Sequence, residues 1–154
     1  MEVILKKKIL SIVATLTLLI PISIIGFAGL SSRVIAEIPF DFTVGNKEFK
    51  AGKYSVGRLA PSNNPGTLVI RGEDNDAVAS YNVNNATDKG GLQARLIFRR
   101  YGNQYFLAKV FDGHSGGGAE FLKSKAEREA AKKGDIITQN AKPETVTVVA
   151  RIAR

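Results

Sequence analysis

The sequence predicts a mostly β domain, either an antiparallel β-sandwich or a small β-barrel of about seven strands, with one short helix before the last strand. Short apolar segments recur along the chain, and clusters of Gly, Asn, Pro and Asp separate them. A single segment, near the end, carries the capping signature of a helix start. The predicted strands are residues 37–44, 54–59, 67–71, 77–83, 92–100, 105–111 and 144–153.

The N-terminal segment predicts export. Lys6, Lys7 and Lys8 precede an uncharged apolar run at 9–25, and small residues follow it. A basic start, an apolar run and a small-residue region together are typical of a secretory signal peptide. We therefore predict a signal peptide over 1–36, a single β-rich domain over 37–154, and a periplasmic or extracellular location.

Two alternatives to that boundary stay open. Cleavage after Ala28 satisfies the small-residue rule through Gly26 and Ala28, as cleavage after Ala36 does through Val34 and Ala36. An uncleaved anchor is the other alternative, because an apolar run of 17 residues lies at the lower edge of the roughly 17–25 residues that span a bilayer. Contact with a membrane is expected only through this segment, if it remains uncleaved.

Composition limits the chemistry that the domain can perform. The chain has no cysteine, so it has neither disulfides nor a cysteine-linked lipid anchor, and its single histidine excludes the usual zinc ligand sets. The net charge of +8 is spread along the chain and does not predict nucleic-acid binding. We predict no cofactor and no metal; Glu73, Asp74 and Asp76 indicate a solvated acidic turn.

The first mature strand alternates by side. Ile38, Phe40, Phe42 and Val44 face one way in residues 37–44, which indicates a half-buried strand, and Pro39 favours an edge or a strand start. Turns are expected at residues 45–46, 51–53, 60–66, 72–76 and 84–91, where Gly, Asn, Pro and Asp cluster.

Residues 92–112 predict a hairpin around Gly102-Asn103, and its register decides what its two faces carry. A two-residue loop pairs Phe98 with Leu107 but places Lys109 on the apolar face. A loop one residue longer gives an unbroken apolar face, and we favour that register because core burial outweighs turn preference. This face comprises Ala94, Leu96, Phe98, Phe106, Ala108 and Val110.

The opposite side of the hairpin, named here the aromatic-basic face, is the candidate surface for a ligand or a partner. Its candidate residues are Arg95, Arg99, Tyr101, Tyr105 and Lys109, interspersed with Ile97, Leu107 and Phe111. The plainer interpretation is a half-exposed sheet face on which long cationic side chains cover apolar neighbours.

The C-terminal part predicts a loop, a helix and a closing strand. Residues 113–118 contain four glycines and indicate a flexible loop. Ser124 and Glu127 have the capping-box spacing, so a helix should begin there, with Glu127 reaching back to Ser124. It should end near Lys133, with Gly134 as its stop.

Four segments together resemble a group of small exported bacterial proteins of unknown function. They are Ile38-Pro39-Phe40-Asp41-Phe42-Thr43-Val44-Gly45, Ala51-Gly52-x-Tyr54, Arg100-Tyr101-Gly102-Asn103-x-Tyr105-Phe106-Leu107-Ala108 and Lys123-Ser124-x-Ala126-Glu127-Arg128-Glu129. The resemblance covers nearly the whole mature chain and implies export and a mostly β domain. It implies no activity and no catalytic residue.

The one catalytic motif in the sequence is Gly113-His114-Ser115-Gly116-Gly117, which matches the G-x-S-x-G of serine hydrolases. That chemistry needs a histidine hydrogen-bonded to the serine, and the only histidine is the serine's own neighbour. We expect a non-enzymatic envelope or extracellular interaction or structural module. The alternative is a carrier of a small apolar ligand in a barrel cavity, and a hydrolase that uses Ser115 is the remote alternative.

Overall fold

A computed structural model describes residues 30, 32–58, 66–73, 79–88, 91–114, 116–138 and 143–153. Eleven strands and one helix lie in this part of the chain. In chain order they are β1 (Val34–Ile38), β2 (Phe42–Val44), β3 (Lys47–Phe49), β4 (Gly52–Arg58), β5 (Thr67–Gly72), β6 (Ala79–Thr87), β7 (Arg95–Tyr101), β8 (Gln104–Phe111), β9 (Gly117–Phe121), α1 (Lys125–Thr138), β10 (Glu144–Val149) and β11 (Arg151–Ile152). The prediction of a mostly β chain with one helix is confirmed.

The strand count is higher than the predicted seven because two predicted strands are divided and two strands were missed. Residues 37–44 form β1 and β2, which are separated at Pro39, Phe40 and Asp41. Residues 144–153 form β10 and β11, separated at Ala150, whose N–H donates to the carbonyl of Ala94 at 2.9 Å. The missed strands are β3, which has only three residues, and β9, which begins with two glycines.

All the described strands belong to one mixed sheet. The hydrogen-bonded path runs β10-β7-β8-β9-β6-β5-β4-β1-β11, and β2 links β3 to β8 beside it. The pairs are antiparallel except for β2 with β8, which are parallel at Thr43 and Phe106. The two end strands of this path, β10 and β11, are consecutive in the C-terminal segment: β10 pairs with β7 and β11 pairs with β1.

The hairpin of β7 and β8 uses both of the registers considered above. Near the turn, Tyr101 pairs with Gln104 and Phe98 with Leu107, as a two-residue loop requires. The register then shifts between Ile97 and Phe98, so that Leu96 pairs with Val110, as the longer loop requires. The shift is an irregularity of the β-bulge kind, in which an extra residue on one strand changes the register without a longer turn. Our expectation that a single register holds throughout was therefore wrong.

The shift changes which side chains face the core near the turn. Leu107 lies in the core cluster, whereas the buried side chain of Phe106 packs against Tyr101, with ring centroids 5.8 Å apart. The sequence pattern predicted the reverse, with Phe106 on the core side and Leu107 on the aromatic-basic face. Beyond the shift, Leu96 and Val110 face the core as predicted.

One hydrophobic cluster draws side chains from strands all along the path. Its buried members are Leu30, Val34, Ala36, Ile38, Phe42, Val44, Phe49, Tyr54, Val56, Leu68, Ile70, Ala94, Leu96, Phe98, Leu107, Val110, Ala119 and Phe121. The predicted side of the first mature strand is confirmed, since Ile38, Phe42 and Val44 are buried and Phe40 packs against the cluster. A domain without cysteine depends on such burial for its stability, because each Å² of apolar surface removed from water stabilises the folded state by roughly 25 cal/mol.

The glycine-rich segment after β8 is shorter as a loop than predicted. Gly117 and Gly118 are buried in β9, between β8 and β6, while Ser115 lies outside the described residues. A β-carbon on Gly118 would lie 2.4 Å from the ring of Phe111, so the glycine there makes room for a cross-strand aromatic ring.

Asp112, which is fully buried, fixes the start of this turn. Its carboxylate accepts hydrogen bonds from the N–H of Ser32 at 3.1 Å and from the N–H of His114 at 3.0 Å. It thereby joins the N-terminal segment to the end of β8.

Helix α1 begins as predicted and ends later. The N–H of Glu127 donates to the hydroxyl of Ser124 at 3.1 Å, which confirms the cap. The helix continues through Gly134 to Thr138, so Gly134 is not its stop; a glycine inside a helix costs only about 1 kcal/mol relative to alanine. No helix among the described residues is long and apolar enough to span a membrane.

Two glycines with similar backbone conformations give a test of the packing. Gly113 (φ 75°) and Gly102 (φ 59°) are both left-handed. A β-carbon on Gly113 would lie 2.6 Å from the backbone nitrogen of Ala94, whereas one on Gly102 meets nothing within 4 Å. We expect Gly102→Ala to lower the free energy of unfolding by about 1–2 kcal/mol and Gly113→Ala by at least about 2 kcal/mol more. Urea denaturation of both variants measures this; equal losses would contradict the packing at Gly113.

Candidate functional site

The aromatic-basic face is the first candidate, and the structure places four of its five residues together. Arg95, Arg99 and Tyr101 lie on one side of β7. Lys109 of β8 pairs with Ile97 of β7, so its side chain lies on the same side. Tyr105 lies on the other side of the hairpin, where it stacks on Phe40 with ring centroids 4.0 Å apart. It changes sides because the two-residue register near the turn pairs it with Arg100.

The centre of this face is an ion pair with helix α1. Glu127, whose side chain is 3% exposed, places Oε1 2.6 Å from Nε of Arg99, which is itself 15% exposed. The hydroxyl of Tyr101 donates to the same carboxylate oxygen at 3.3 Å. The carboxylate of Glu127 turns to β7 rather than back to Ser124, because a guanidinium is a stronger hydrogen-bond donor than a neutral peptide N–H.

The other two cations of the face also contact acidic residues of the chain. Arg95 forms an ion pair with Asp88, and its guanidinium lies 5.1 Å from the ring centroid of Phe111. Lys109 lies 3.5 Å from Glu120 of β9. The face therefore binds the chain's own helix and acidic residues, and its charge is largely neutralised internally.

A second candidate is an open groove of about 180 Å³ where the two tight hairpins meet. This tip groove is lined by Asp41, Phe42, Thr43, Glu48, Phe49, Lys50, Asn103, Gln104 and Tyr105. Glu48 pairs with Thr43 across β3 and β2, and the side chains of both residues line the groove with a carboxylate and a hydroxyl group.

The tip groove was not predicted from the sequence, although five of its lining residues, Glu48, Phe49, Asn103, Gln104 and Tyr105, belong to a repeated pattern. Gly45-Asn46-Lys47-Glu48-Phe49 and Gly102-Asn103-Gln104-Tyr105-Phe106 share three identities. Both begin two-residue hairpin turns, with Val44 paired to Lys47 and Tyr101 to Gln104. Only the parallel pairing of β2 with β8 brings these two turns side by side.

An ion pair borders the tip groove. Nζ of Lys50 lies 2.8 Å from Oδ2 of Asp41, whose Oδ1 accepts the N–H of Ala51 at 2.8 Å. The hydrogen bond from Lys50, followed by that from Ala51, lowers the pKa of Asp41 below its usual range, and the hydrogen bond to Asp41 raises the pKa of Lys50. Both side chains are exposed, so a bound polar ligand can compete for either one.

Two aromatic contacts form the base of the tip groove. The ring of Tyr105 stacks on Phe40, and the guanidinium of Arg100 lies 5.5 Å from the Tyr105 ring centroid. Phe42 stacks on Phe49 with centroids 5.2 Å apart. The groove thus has a rigid aromatic base under a rim of carboxylate, ammonium, hydroxyl and amide groups, which suits a ligand with alternating hydrogen-bond donors and acceptors.

The structure gives the serine motif a context unlike that of a nucleophile elbow. The motif follows β8 and ends on Gly117, the first residue of the antiparallel strand β9, whereas the elbow turns from a strand into a helix. His114 is exposed, and its backbone N–H binds Asp112. No group of three or more potential metal ligands occurs among the described residues.

Comparisons with models of protein families, with curated proteins and with solved structures found no match.

The buried ion pair predicts unequal effects of two substitutions in α1. Glu127→Gln should lower the free energy of unfolding by roughly 3 kcal/mol, because Arg99 is left buried with Glu120 at 3.9 Å as its nearest acidic partner. Glu129→Gln is the matched control: Glu129 is exposed, and it pairs with Lys125 at 3.9 Å, so its loss should stay within about 0.5 kcal/mol. Chemical denaturation of both variants measures the difference; similar losses would contradict this account of Arg99.

Alkaline pH provides a second test, through Tyr54 beside the tip groove. Burial, and then the charge of Asp41, raise the pKa of Tyr54 above its ordinary value of 10.0. The folded state therefore favours the neutral phenol, and this stabilisation is complete below pH 10.0 and is lost as pH rises through the folded pKa. We expect stability to fall above pH 10.0, and to fall less steeply in Tyr54→Phe, as measured by denaturation at a series of pH values. An equal fall in the variant would contradict the assignment to Tyr54.

Proposed function

We propose that this chain is an exported, non-enzymatic interaction module that binds an extended polypeptide segment of a protein partner at the tip groove. The observation that carries the proposal is the position of Glu48, in the middle of an edge strand and on the rim of this groove. Within the described residues β3 pairs with β2 alone, so its second edge is available to another strand.

The hairpin geometry defines what this edge offers. Lys47 pairs with Val44 across the two-residue turn, and Phe49 pairs with Phe42, so these pairs exchange the ladder hydrogen bonds. The alternate pair, Glu48 with Thr43, is then non-hydrogen-bonded, and the N–H and C=O of Glu48 point away from β2. An extended peptide can pair with these two groups by strand addition.

Charge favours a basic residue in the bound segment. Asp41 accepts hydrogen bonds from Lys50 and Ala51, so Glu48 supplies the net negative charge of the rim. Side chains of an added strand alternate between the two faces, and one of them would stand over Glu48. A lysine or arginine at that position gives electrostatic complementarity, which contributes mainly to specificity and association rate.

We further propose that the strands form a small barrel rather than a sandwich. The C-terminal segment pairs with β7 through β10 and with β1 through β11, which would join the two ends of the sheet. The interior is packed with large side chains such as Phe98, Leu96 and Ile70, which are fully buried. A filled interior favours surface binding over the alternative role of carrying a small apolar ligand.

The location of the partner follows from the N-terminal segment. A basic start, an apolar run and small residues support export, so the partner would lie in the periplasm or outside the cell. A non-enzymatic role is supported by the single histidine and by a serine motif that ends on the first residue of the antiparallel strand β9.

The test is amide-resonance mapping of the isotopically labelled exported form. Three probes are added separately: a library of extended heptapeptides with a central lysine, a long-chain fatty acid, and a chromogenic ester. We expect the peptides to shift the amides of 47–50 and 103–105, and we expect neither interior shifts with the fatty acid nor ester turnover. Interior shifts would establish the carrier, turnover that Ser115→Ala abolishes would establish the hydrolase, and no peptide shifts at the groove would overturn the proposal.

Two variants at one position separate the backbone from the side chain. Glu48→Pro removes the outward N–H while leaving the bonds of Lys47 and Phe49 to β2, because proline is tolerated where an edge N–H faces solvent. Glu48→Ala removes the charge and keeps the N–H. We expect the proline variant to weaken peptide binding at least about tenfold, or about 1.4 kcal/mol, and the alanine variant to weaken mainly the lysine-containing peptides. Unchanged binding by the proline variant would show that β3 is not the docking edge.

A further inference from the structure

The structure bears directly on where the N-terminal segment is removed. A boundary after Ala36 would fall inside β1 (Val34–Ile38), between residues that pair with Tyr54 and Lys53 of β4. The N-terminal sequence predicts a boundary after Ala36, and Ala28 is the alternative that satisfies the same small-residue rule. The two positions differ in what the folded domain would lose.

Leu30 and residues 32–36, which are the described residues between these two positions, are built into the domain. Leu30, Val34 and Ala36 are at most 3% exposed and belong to the core cluster. Removing them would leave a cavity in the core, which destabilises the folded domain because the surrounding side chains relax only partly into the space. A product that starts at Glu37 would therefore lack part of its own hydrophobic core.

The same residues carry backbone hydrogen bonds to distant parts of the chain. The carbonyl of Leu30 accepts from Nε of Arg58 at 2.6 Å, the N–H of Ser32 donates to the carboxylate of Asp112 at 3.1 Å, and the carbonyl of Arg33 accepts from the N–H of Ala153 at 2.8 Å. Without residue 32, the fully buried Asp112 would lose one of its donors, which is costly for a buried charged group.

The first half of β1 also anchors the C-terminal strand. Val34 pairs with Ile152 and Ile35 pairs with Arg151, and these are the register pairs between β1 and β11. Both Val34 and Ile35 precede Ala36, so cleavage there would remove the whole of this pairing. The C-terminal segment would then pair only with β7, through β10.

We propose that signal peptidase cleaves between Ala28 and Gly29, two residues that lie outside the described part of the chain, so that Leu30 and residues 32–36 stay in the mature domain. Water adds across the peptide bond, so that Ala28 gains a carboxylate and Gly29 becomes the new terminal amine. Cleavage at Ala28 gives a segment within the roughly 15–30 residues of signal peptides, whereas cleavage at Ala36 exceeds that length. This inference rests on the proposed export.

The experiment uses the full chain, expressed in an exporting bacterial host, with intact mass and N-terminal sequencing of the envelope fraction. A mature form that begins at Gly29 is the expected result. An exported form that begins at Glu37, or an envelope-bound form that keeps Met1, would overturn the processing proposal while leaving export intact. A full-length chain confined to the cytoplasm would overturn export itself.

A matched pair of substitutions makes the test independent of folding, because cleavage is measured on the chain as it is exported. Ala28→Val and Ala36→Val place the same branched side chain at each candidate cleavage position, where a small residue is required. We expect Ala28→Val to remove the form that begins at Gly29 and to leave the full-length precursor. Ala36→Val should keep the Gly29 terminus unchanged. The reverse pattern would assign cleavage to Ala36.

Discussion

The pairing of β1 with both β4 and β11 is the interaction on which the rest of the fold depends. It places β1 between β4 and β11, which are the fourth and the last of the described strands. The side chains of Val34, Ala36 and Ile38 enter the core from this position. A domain without cysteine has no disulfide to join its ends, so the backbone ladder and the apolar side chains of β1 do so instead. β4 and β11 both take their register against this strand, and Ser32, two residues before it, donates a hydrogen bond to the buried Asp112.

Charge is distributed in a second layer outside that core. Arg99 and Glu127 hold the helix against β7, and the pairs of Arg95 with Asp88 and of Lys109 with Glu120 lie on the same face. The aliphatic part of each long cationic side chain covers apolar neighbours, and a carboxylate of the chain takes the place of water at its charged end. A face that resembles a ligand site in the sequence thus serves as the docking surface of the chain's own helix. Three exposed charged residues, Asp41, Glu48 and Lys50, lie at the tip groove.

Particular residues show why the sequence was informative in some places and not in others. The alternation of Ile38, Phe42 and Val44 predicts the buried side of the first strand correctly, because successive side chains of a strand point to opposite faces whatever the tertiary structure. Ser124 reports the helix start, because its hydroxyl binds a backbone N–H only three residues away. Gly118 misleads, because a glycine that makes room for the ring of Phe111 has the same local signature as a glycine in a loop. The tip groove is invisible for a related reason: its residues come from two turns that meet only through β2 and β8.

By itself, the sequence determined the β class, the position of the hairpin turns and the start of the helix, since each depends on neighbours a few residues apart. The order of charge, apolar run and small residues at the N-terminus also predicts export, on which the proposed location rests. The tertiary structure decided the register of β7 and β8, because a shift along the hairpin lets the turn follow its local preference while Leu96 and Val110 still reach the core. It also decided which acidic residues pair with Arg95, Arg99 and Lys109, and that β1 begins at Val34. These contacts join residues far apart in the chain, so they depend on which surfaces the folded core brings together.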